Sequence, residues 1–162
     1  MAEAFNEREL PHGKDARYRE VAAEIASVLD GEPNLTARMA TVASMLASSF
    51  DHYFWTGFYV VDGEELVVGP YQGTLGCLRI AFGRGVCGTA AKDRATQIVE
   101  DVNAFPGHIA CDSRSQSEVV VPVFDPAGQL IAVLDVDSDR PAAFDDTDVR
   151  WLEAIVADTF AR

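Results

Sequence analysis

Two tight turns between strand-like segments set the strongest limit on the fold of this chain. Asp62-Gly63 follows the aromatic and β-branched run FWTGFYVV, and the segment ELVVGPY comes directly after it. The turn at 125–128, DPAG, separates EVVVPVF from QLIAVLDVDS in the same way. Runs of this composition predict strands, and connections this short join antiparallel neighbours. The sequence therefore predicts a sheet that is largely antiparallel.

Helical patterns lie on both sides of these strands. Apolar residues recur at helical spacing from Tyr18 onward, Asn34 can cap a second helix, and Asp145 can cap a closing helix. The short runs CLRIAF and TQIVE bring the expected strands to about six. One antiparallel sheet with helices from both ends of the chain is an α+β architecture. We expect residues 1–14 to form an N-terminal arm and 15–162 a single domain.

The charge of the chain excludes several classes of partner. It has 13 Lys and Arg against 26 Asp and Glu, a net charge of −13, so we expect no nucleic-acid partner. No apolar run approaches the roughly 18 residues that span a bilayer, so we expect no membrane association. The first 20 residues lack the apolar core of a signal peptide, and a cytoplasmic location is the resulting expectation.

The segment GRGVCG at 83–88 matches the G-x-G-x-x-G pattern of dinucleotide-binding loops. The helix that could follow spans only about two turns, whereas a parallel crossover needs about a dozen residues. No further alternation of strands and helices follows to build a doubly wound sheet. We therefore predict a glycine-rich turn into a helix N-terminus, where the backbone dipole lowers the pKa of Cys87. An inward Arg84 side chain would lower it further.

The three cysteines, Cys77, Cys87 and Cys111, are too few and too irregular for a secreted disulfide framework. In a reducing compartment, grouped thiols are metal-binding, catalytic or redox-active. No C-x-x-C spacing is present, so we expect no structural zinc.

A long central loop and two strand ends carry the other candidate site residues. The loop at 103–117 contains His108 and Cys111 and lacks helical or strand periodicity, which is typical of a functional loop or of a solvated one with a stray thiol. Asp135 and Asp137 share one face of a strand, where they could surround an ammonium group or form a strand end that faces water. Glu118 begins the preceding strand and could point either way.

Aromatic residues on the first strand are the last candidates. Trp55 and Tyr59 are four residues apart and share a face. They could belong to the core or form the wall of a ligand pocket.

Taken together, the motifs of the chain resemble those of the free methionine-(R)-sulfoxide reductases, which are built on a GAF domain. The resemblance extends from about Trp55 to Phe144 and rests on WTGFY, GPYQG, CLRI, GRGVCGTAA, DVNAFPGHIACDS, SEVVVPVF and LDVDS. It implies a GAF fold, with about six antiparallel strands and the N- and C-terminal helices packed on one side. It also implies a homodimer and a closed pocket for one free amino acid. The expected substrate is the R epimer of free methionine sulfoxide, thioredoxin is the expected reductant, and neither a cofactor nor a metal is expected.

The resemblance also assigns roles to individual residues. The three cysteines match the family's redox cysteines. Glu118, Asp135 and Asp137 match its substrate-binding acids, and Trp55 matches its aromatic wall. Tyr59, which shares a face with Trp55, is a further candidate for substrate binding. Phe54 and Gly76 depart from the family pattern, in which asparagine and alanine are frequent.

These assignments lead to a mechanistic hypothesis. Cys111 attacks the sulfoxide sulfur, Glu118 donates a proton to the oxygen, Cys87 resolves the sulfenic acid as a disulfide, and Cys77 relays by thiol exchange. The helix-terminus argument instead favours Cys87 as the attacking thiol, and the order of the cysteines stays open. The alternative function is a non-enzymatic GAF sensor of a small ligand, such as a cyclic nucleotide, or a redox switch.

Overall fold

A six-stranded antiparallel sheet forms the centre of the structure, a computed structural model that describes residues 11–108 and 111–162. The strands lie in the order β3-β2-β1-β6-β5-β4, and each neighbouring pair is antiparallel. This confirms the predicted number of strands and their direction. Their bounds are Trp55–Asp62 (β1), Glu65–Gln72 (β2), Arg79–Ala81 (β3), Gln97–Val99 (β4), Ser117–Phe124 (β5) and Leu130–Ser138 (β6).

Both predicted tight turns are present. Asp62 pairs with Glu65 across the β1–β2 turn, where Gly63 adopts a φ of 64°. In the β5–β6 turn, the Asp125 carboxylate accepts hydrogen bonds from the backbone N–H groups of Ala127 and Gln129, both at 2.9 Å. These local bonds fix the register of each hairpin.

Within residues 11–108 and 111–162, four α-helices surround the sheet, together with a 3₁₀ turn at Val102–Ala104. Asn34 and Asp145 cap two of them as predicted: the Asn34 side chain accepts from the Ala37 N–H, and Asp145 forms a reciprocal capping box with Asp148. No helix in the described part of the chain is long and apolar enough to cross a membrane. The helices are Pro11–Val28 (α1), Leu35–Ser49 (α2), Gly85–Asp93 (α3) and Asp146–Phe160 (α4).

The two faces of the sheet have different cores. Helices α1, α2 and α4 cover one face, and their buried side chains pack on Phe58 and on alternate residues of β5 and β6. The terminal helices therefore lie on one side, as predicted. The short helix α3 lies against the other face with Trp55, Tyr59 and Val120.

The boundary predicted for the N-terminal arm, after residue 14, falls inside helix α1. Helix α1 begins at Pro11, and the Lys14 ammonium lies 2.5 Å from a carboxylate oxygen of the fully buried Asp148. Tyr18 and His52 contact the other oxygen of the same carboxylate, at 2.5 and 3.0 Å. This ion-pair network ties α1 to α4, which the apolar pattern could not reveal. Residues 1–10 of the predicted arm lie outside the described residues.

Candidate active site

Strand register places the candidate site residues in adjacent rows on the α3 face of the sheet. Glu118 on β5 pairs with Asp137 on β6, and Asp137 pairs with Trp55 on β1. In the next row on that face, Asp135 lies between Val120 and Gly57. Side chains alternate between faces along a strand, so residues two apart point the same way. The three acids and the tryptophan thus meet on one surface, as the sequence predicted for Asp135 and Asp137.

An aromatic wall closes one side of this surface. The Trp55 ring stacks on Tyr59 and Tyr71, with centroids 5.6 and 5.0 Å apart. Its indole N–H donates to the Thr74 carbonyl at 2.8 Å. Gly57 is required beneath the ring, because a Cβ there would lie 2.2 Å from the Tyr71 Cβ. Trp55 and Tyr59 are 5% and 3% exposed, and both line the pocket.

The GRGVCG segment forms the opposite wall. Gly83 and Gly85 have φ values of 83° and 61°, which glycine adopts without strain, and the chain then enters α3. At Gly88, a Cβ would lie 2.4 Å from the Ala81 carbonyl oxygen. The predicted turn and helix are therefore confirmed. They place Cys87 in the first turn of α3, with its Sγ 4.0 Å from Glu118 Oε2.

The environment of Cys87 contradicts the expectation of a low thiol pKa. Burial raises the pKa of Cys87 well above its ordinary value, and the charges of Asp135 and Glu118 raise it further. Among the described residues, no lysine or arginine forms an ion pair with the site acids Glu118, Asp135 and Asp137. Desolvation and negative charge outweigh the helix dipole, so Cys87 is a protonated thiol at neutral pH.

The pKa values of the three site acids are also raised. Burial, followed by the charge of Asp135, raises the pKa of Glu118 well above its usual value. Burial and the neighbouring Asp137 raise the pKa of Asp135 to about 8. Burial and Glu118 likewise raise the pKa of Asp137. Such a cluster can hold a proton for transfer and can bind a cation, which would restore the charged carboxylates.

One carboxylate oxygen in this cluster has an unused hydrogen-bonding capacity. Asp135 is 4% exposed, and its Oδ1 has no hydrogen-bond partner among the described residues. The Sγ atom of Cys87 and one carboxylate oxygen each of Glu118 and Asp135 lie within 4.8 Å of one another, close enough for one positive charge to contact all three.

A disulfide joins Cys77 to Cys111 in the lining of the pocket, with Cα atoms 5.8 Å apart. Cys111 is exposed and Cys77 is half-buried, whereas Cys87 is a buried free thiol. The prediction that Cys87 is the disulfide partner of Cys111 is therefore wrong for this structure. Pairing depends on how the two loops meet in space, and cysteine spacing does not encode it.

Polar contacts hold the two cysteine-bearing loops together. The Thr74 hydroxyl donates to the Asp112 carboxylate at 2.8 Å, one residue from Cys111 and three from Cys77. Arg114 donates to the same carboxylate at 3.1 and 2.8 Å, and these bonds lower the pKa of Asp112. Sequence reasoning missed this bridge, because Thr74 and Asp112 match no motif of their own.

His108 also belongs to the site, although sequence reasoning left it between a functional and a solvated loop. Its Nε2 lies 3.9 Å from Glu118 Oε1, and 14% of its side chain is exposed. Burial lowers the pKa of His108. The nearby Cys111 in the same loop was the available signal for a role here.

The pocket itself is small. Its cavity volume is about 50 Å³, and its lining includes the disulfide and the acids Glu118, Asp135 and Asp137. The pocket thus brings together a disulfide, a carboxyl group whose pKa is raised and a cluster of acids.

Comparison with known proteins gives consistent results. A sequence model of the family described as GAF domain matches residues 34–159. GAF domain-containing protein A of Dictyostelium discoideum is 48% identical over 144 residues, which cover 88% of this chain and 90% of that protein. The free methionine-R-sulfoxide reductase of Escherichia coli strain K12 is 40% identical over 140 residues, which cover 86% of this chain and 84% of the relative. The X-ray structure of free methionine-R-sulfoxide reductase from Neisseria meningitidis in complex with its substrate has a TM-score of 0.86 and 48% identity, and the match covers 90% of this chain and 87% of that chain.

Proposed function

We propose that this chain, which belongs to the GAF-domain family, is a free methionine-(R)-sulfoxide reductase that converts free L-methionine-(R)-S-oxide to methionine. The observation that carries the proposal is the disulfide between Cys77 and Cys111, which lines the same pocket as the acids Glu118, Asp135 and Asp137. This geometry provides a thiol couple for the reduction and a separate anchor for an amino acid.

The acid cluster favours a free amino acid over a residue within a protein. Asp135 and Asp137 would bind the substrate ammonium, a group that an internal residue of a polypeptide lacks. Asp135 Oδ1, which has no partner among the described residues, would accept one of its N–H groups. Trp55 would pack against the thioether methyl.

The reduction is a displacement at sulfur. The Cys111 thiolate attacks the sulfoxide sulfur, and Glu118, kept protonated by its raised pKa, donates a proton to the oxygen. Oxygen then passes to Cys111, which becomes a sulfenic acid as methionine leaves. Cys111 is assigned this role because its loop leads directly into the strand that carries Glu118.

Resolution by Cys77 completes the oxidative half of the cycle. The Cys77 thiol condenses with the sulfenic acid, a sulfur–sulfur bond forms, and water leaves. A dithiol then reduces the disulfide by two electrons and two protons, and we expect thioredoxin to supply them. The cycle balances with thiols alone and requires no cofactor. Cys87 remains a neutral thiol beside Glu118.

Two broader expectations accompany this cycle. A disulfide that must be reduced after each turnover suits the reducing cytoplasm. We further expect two copies of the chain to form a homodimer, as the resemblance implies.

Turnover of the separated epimers tests the proposal. With dithiothreitol as reductant, we expect methionine to form from free L-methionine-(R)-S-oxide and not from the S epimer. Cys111→Ser should abolish turnover, and Ser substitution of Cys87, which is outside the disulfide, should leave dithiothreitol-supported turnover measurable. Absence of product from the R epimer, or equal rates with both epimers, would contradict the proposal.

A further inference from the structure

Two exposed leucines flank the half-buried cysteine of the disulfide. Leu75 and Leu78 are 77% and 70% exposed, the two highest exposures among the large hydrophobic residues described as exposed. Cys77 lies between them in sequence, and its partner Cys111 is itself exposed. Single exposed leucines are common on protein surfaces, but two beside a reactive bond mark a surface on which another molecule can pack.

The backbone of this segment is held in place. Thr74 accepts the Trp55 indole N–H through its carbonyl and donates to Asp112 through its hydroxyl, both at 2.8 Å. Four residues later, the Leu78 carbonyl accepts the Val68 N–H at 3.0 Å. The leucines therefore lie on a short segment that is hydrogen-bonded at both ends, and burying them against a partner costs little additional loop ordering.

The neighbouring disulfide defines the chemistry of the partner. It must bring a thiolate to one sulfur of the Cys77–Cys111 bond, which breaks as the other cysteine leaves as a thiolate. A second thiol on the partner then attacks the partner's first sulfur in this mixed disulfide and displaces the bound cysteine, so the partner is oxidised to a disulfide and both cysteines are returned as thiols. A small thiol needs no apolar surface for these steps, whereas a protein reductant must pack around the exposed bond.

We propose that Leu75 and Leu78 form the docking surface for a dithiol protein reductant that reduces the Cys77–Cys111 disulfide. This inference rests on the proposed function for its place in a catalytic cycle. The contact positions the reductant and takes no part in sulfoxide chemistry. The surface should therefore govern reduction by a protein and leave reduction by a small dithiol unchanged.

Substitution of Leu78 provides the test, because Leu75 also lines the pocket and would affect substrate binding. Oxidised protein is mixed with reduced thioredoxin in the absence of methionine sulfoxide. The measured quantity is the rate at which Cys77 and Cys111 of this chain become free thiols. Leu78→Ser should lower the second-order rate by about tenfold, whereas the rate with dithiothreitol should not change. Leu78→Met should restore most of the rate with thioredoxin. The matched control is Ile98→Ser, since Ile98 is 45% exposed on the opposite edge strand β4.

The outcomes separate this inference from the proposed function. A normal thioredoxin rate in Leu78→Ser, an equal loss with dithiothreitol, or an equal loss in Ile98→Ser would overturn the docking surface. A change in the mass of Leu78→Ser in solution would overturn it as well, by assigning the leucines to contacts between copies of the chain. Failure of the R epimer to react under dithiothreitol would instead contradict the reductase activity, because the disulfide reduction assay contains no substrate.

Discussion

Reduction of the Cys77–Cys111 disulfide should lower the free energy of unfolding by about 4 kcal/mol. The bond closes a loop with a sequence separation of 34 residues, which includes β3, α3 and β4. In the chain-entropy treatment, a loop of this size removes about 13 cal/mol/K from the unfolded ensemble, or about 4 kcal/mol at 25 °C. Each catalytic cycle would then alternate between a more stable oxidised form and a less stable reduced form.

Denaturant unfolding measures this difference directly. Urea titrations of the oxidised and reduced protein, followed by the fluorescence of its two tryptophans, give the two free energies of unfolding. The Cys77→Ser/Cys111→Ser double variant should show the same unfolding free energy under both redox conditions. The Cys87→Ser variant should keep the difference, because Cys87 is a free thiol.

Two results would refute the reasoning. A difference below about 1 kcal/mol would mean that the disulfide does not restrain the unfolded chain as the loop length requires. A difference that persists in the double variant would assign the redox effect to another part of the molecule.

Three other predictions follow from the site and the core. Without reductant, the Cys77→Ser variant should form one methionine per chain and leave a sulfenic acid on Cys111, which a dimedone-type reagent traps. A trapped sulfenic acid on another residue would contradict the assignment of Cys111 as the attacking thiol and Cys77 as the resolving thiol. Glu118→Gln should lower kcat/KM by about 100-fold or more. The raised pKa of Glu118 means that the wild-type proton donor is present below that pKa and lost as pH rises through it, so an unchanged alkaline limb in the variant would count against Glu118. Asp148→Asn should lower the free energy of unfolding by about 3 kcal/mol in urea, because it leaves Lys14 without its buried partner. Burial acts to raise the pKa of Asp148, but hydrogen bonds from His52, Lys14 and Tyr18 outweigh it and lower the pKa. The stability that the Asp148 carboxylate contributes is therefore present above its unfolded pKa of about 3.9 and is lost as pH falls below that value. An Asp148→Asn variant with wild-type stability at pH 7 would contradict this account.

Local patterns were sufficient to predict much of the fold. The turns at Asp62-Gly63 and 125–128 predicted antiparallel hairpins, and the caps at Asn34 and Asp145 marked the starts of two helices. These features depend on residues close in sequence, which is why one sequence reveals them. Strand alternation likewise placed Asp135 and Asp137 on a shared face.

Features that depend on distant segments were not predictable in the same way. The thiol pKa of Cys87 has the opposite direction from the expected one, because Glu118 and Asp135 arrive from two other elements and burial adds to their effect. The partner of Cys111 depends on the bridge between two loops. Both the thiol pKa of Cys87 and the disulfide partner of Cys111 are thus determined by contacts between residues more than 20 positions apart in the sequence.

The alternation along β5 ties the chemistry of the pocket to the stability of the opposite face. Glu118 and Val120 lie on the α3 side of the sheet, where Glu118 lines the pocket, whereas Val119 and Val121 pack beneath the three covering helices. Inserting a single residue ahead of Glu118 within the strand would exchange the two sets, burying a carboxylate among aliphatic side chains and removing it from the pocket. Insertions and deletions in this strand should therefore be eliminated by selection for folding alone, even where methionine sulfoxide is scarce. The pocket is thus protected against such changes by a constraint that does not depend on its activity.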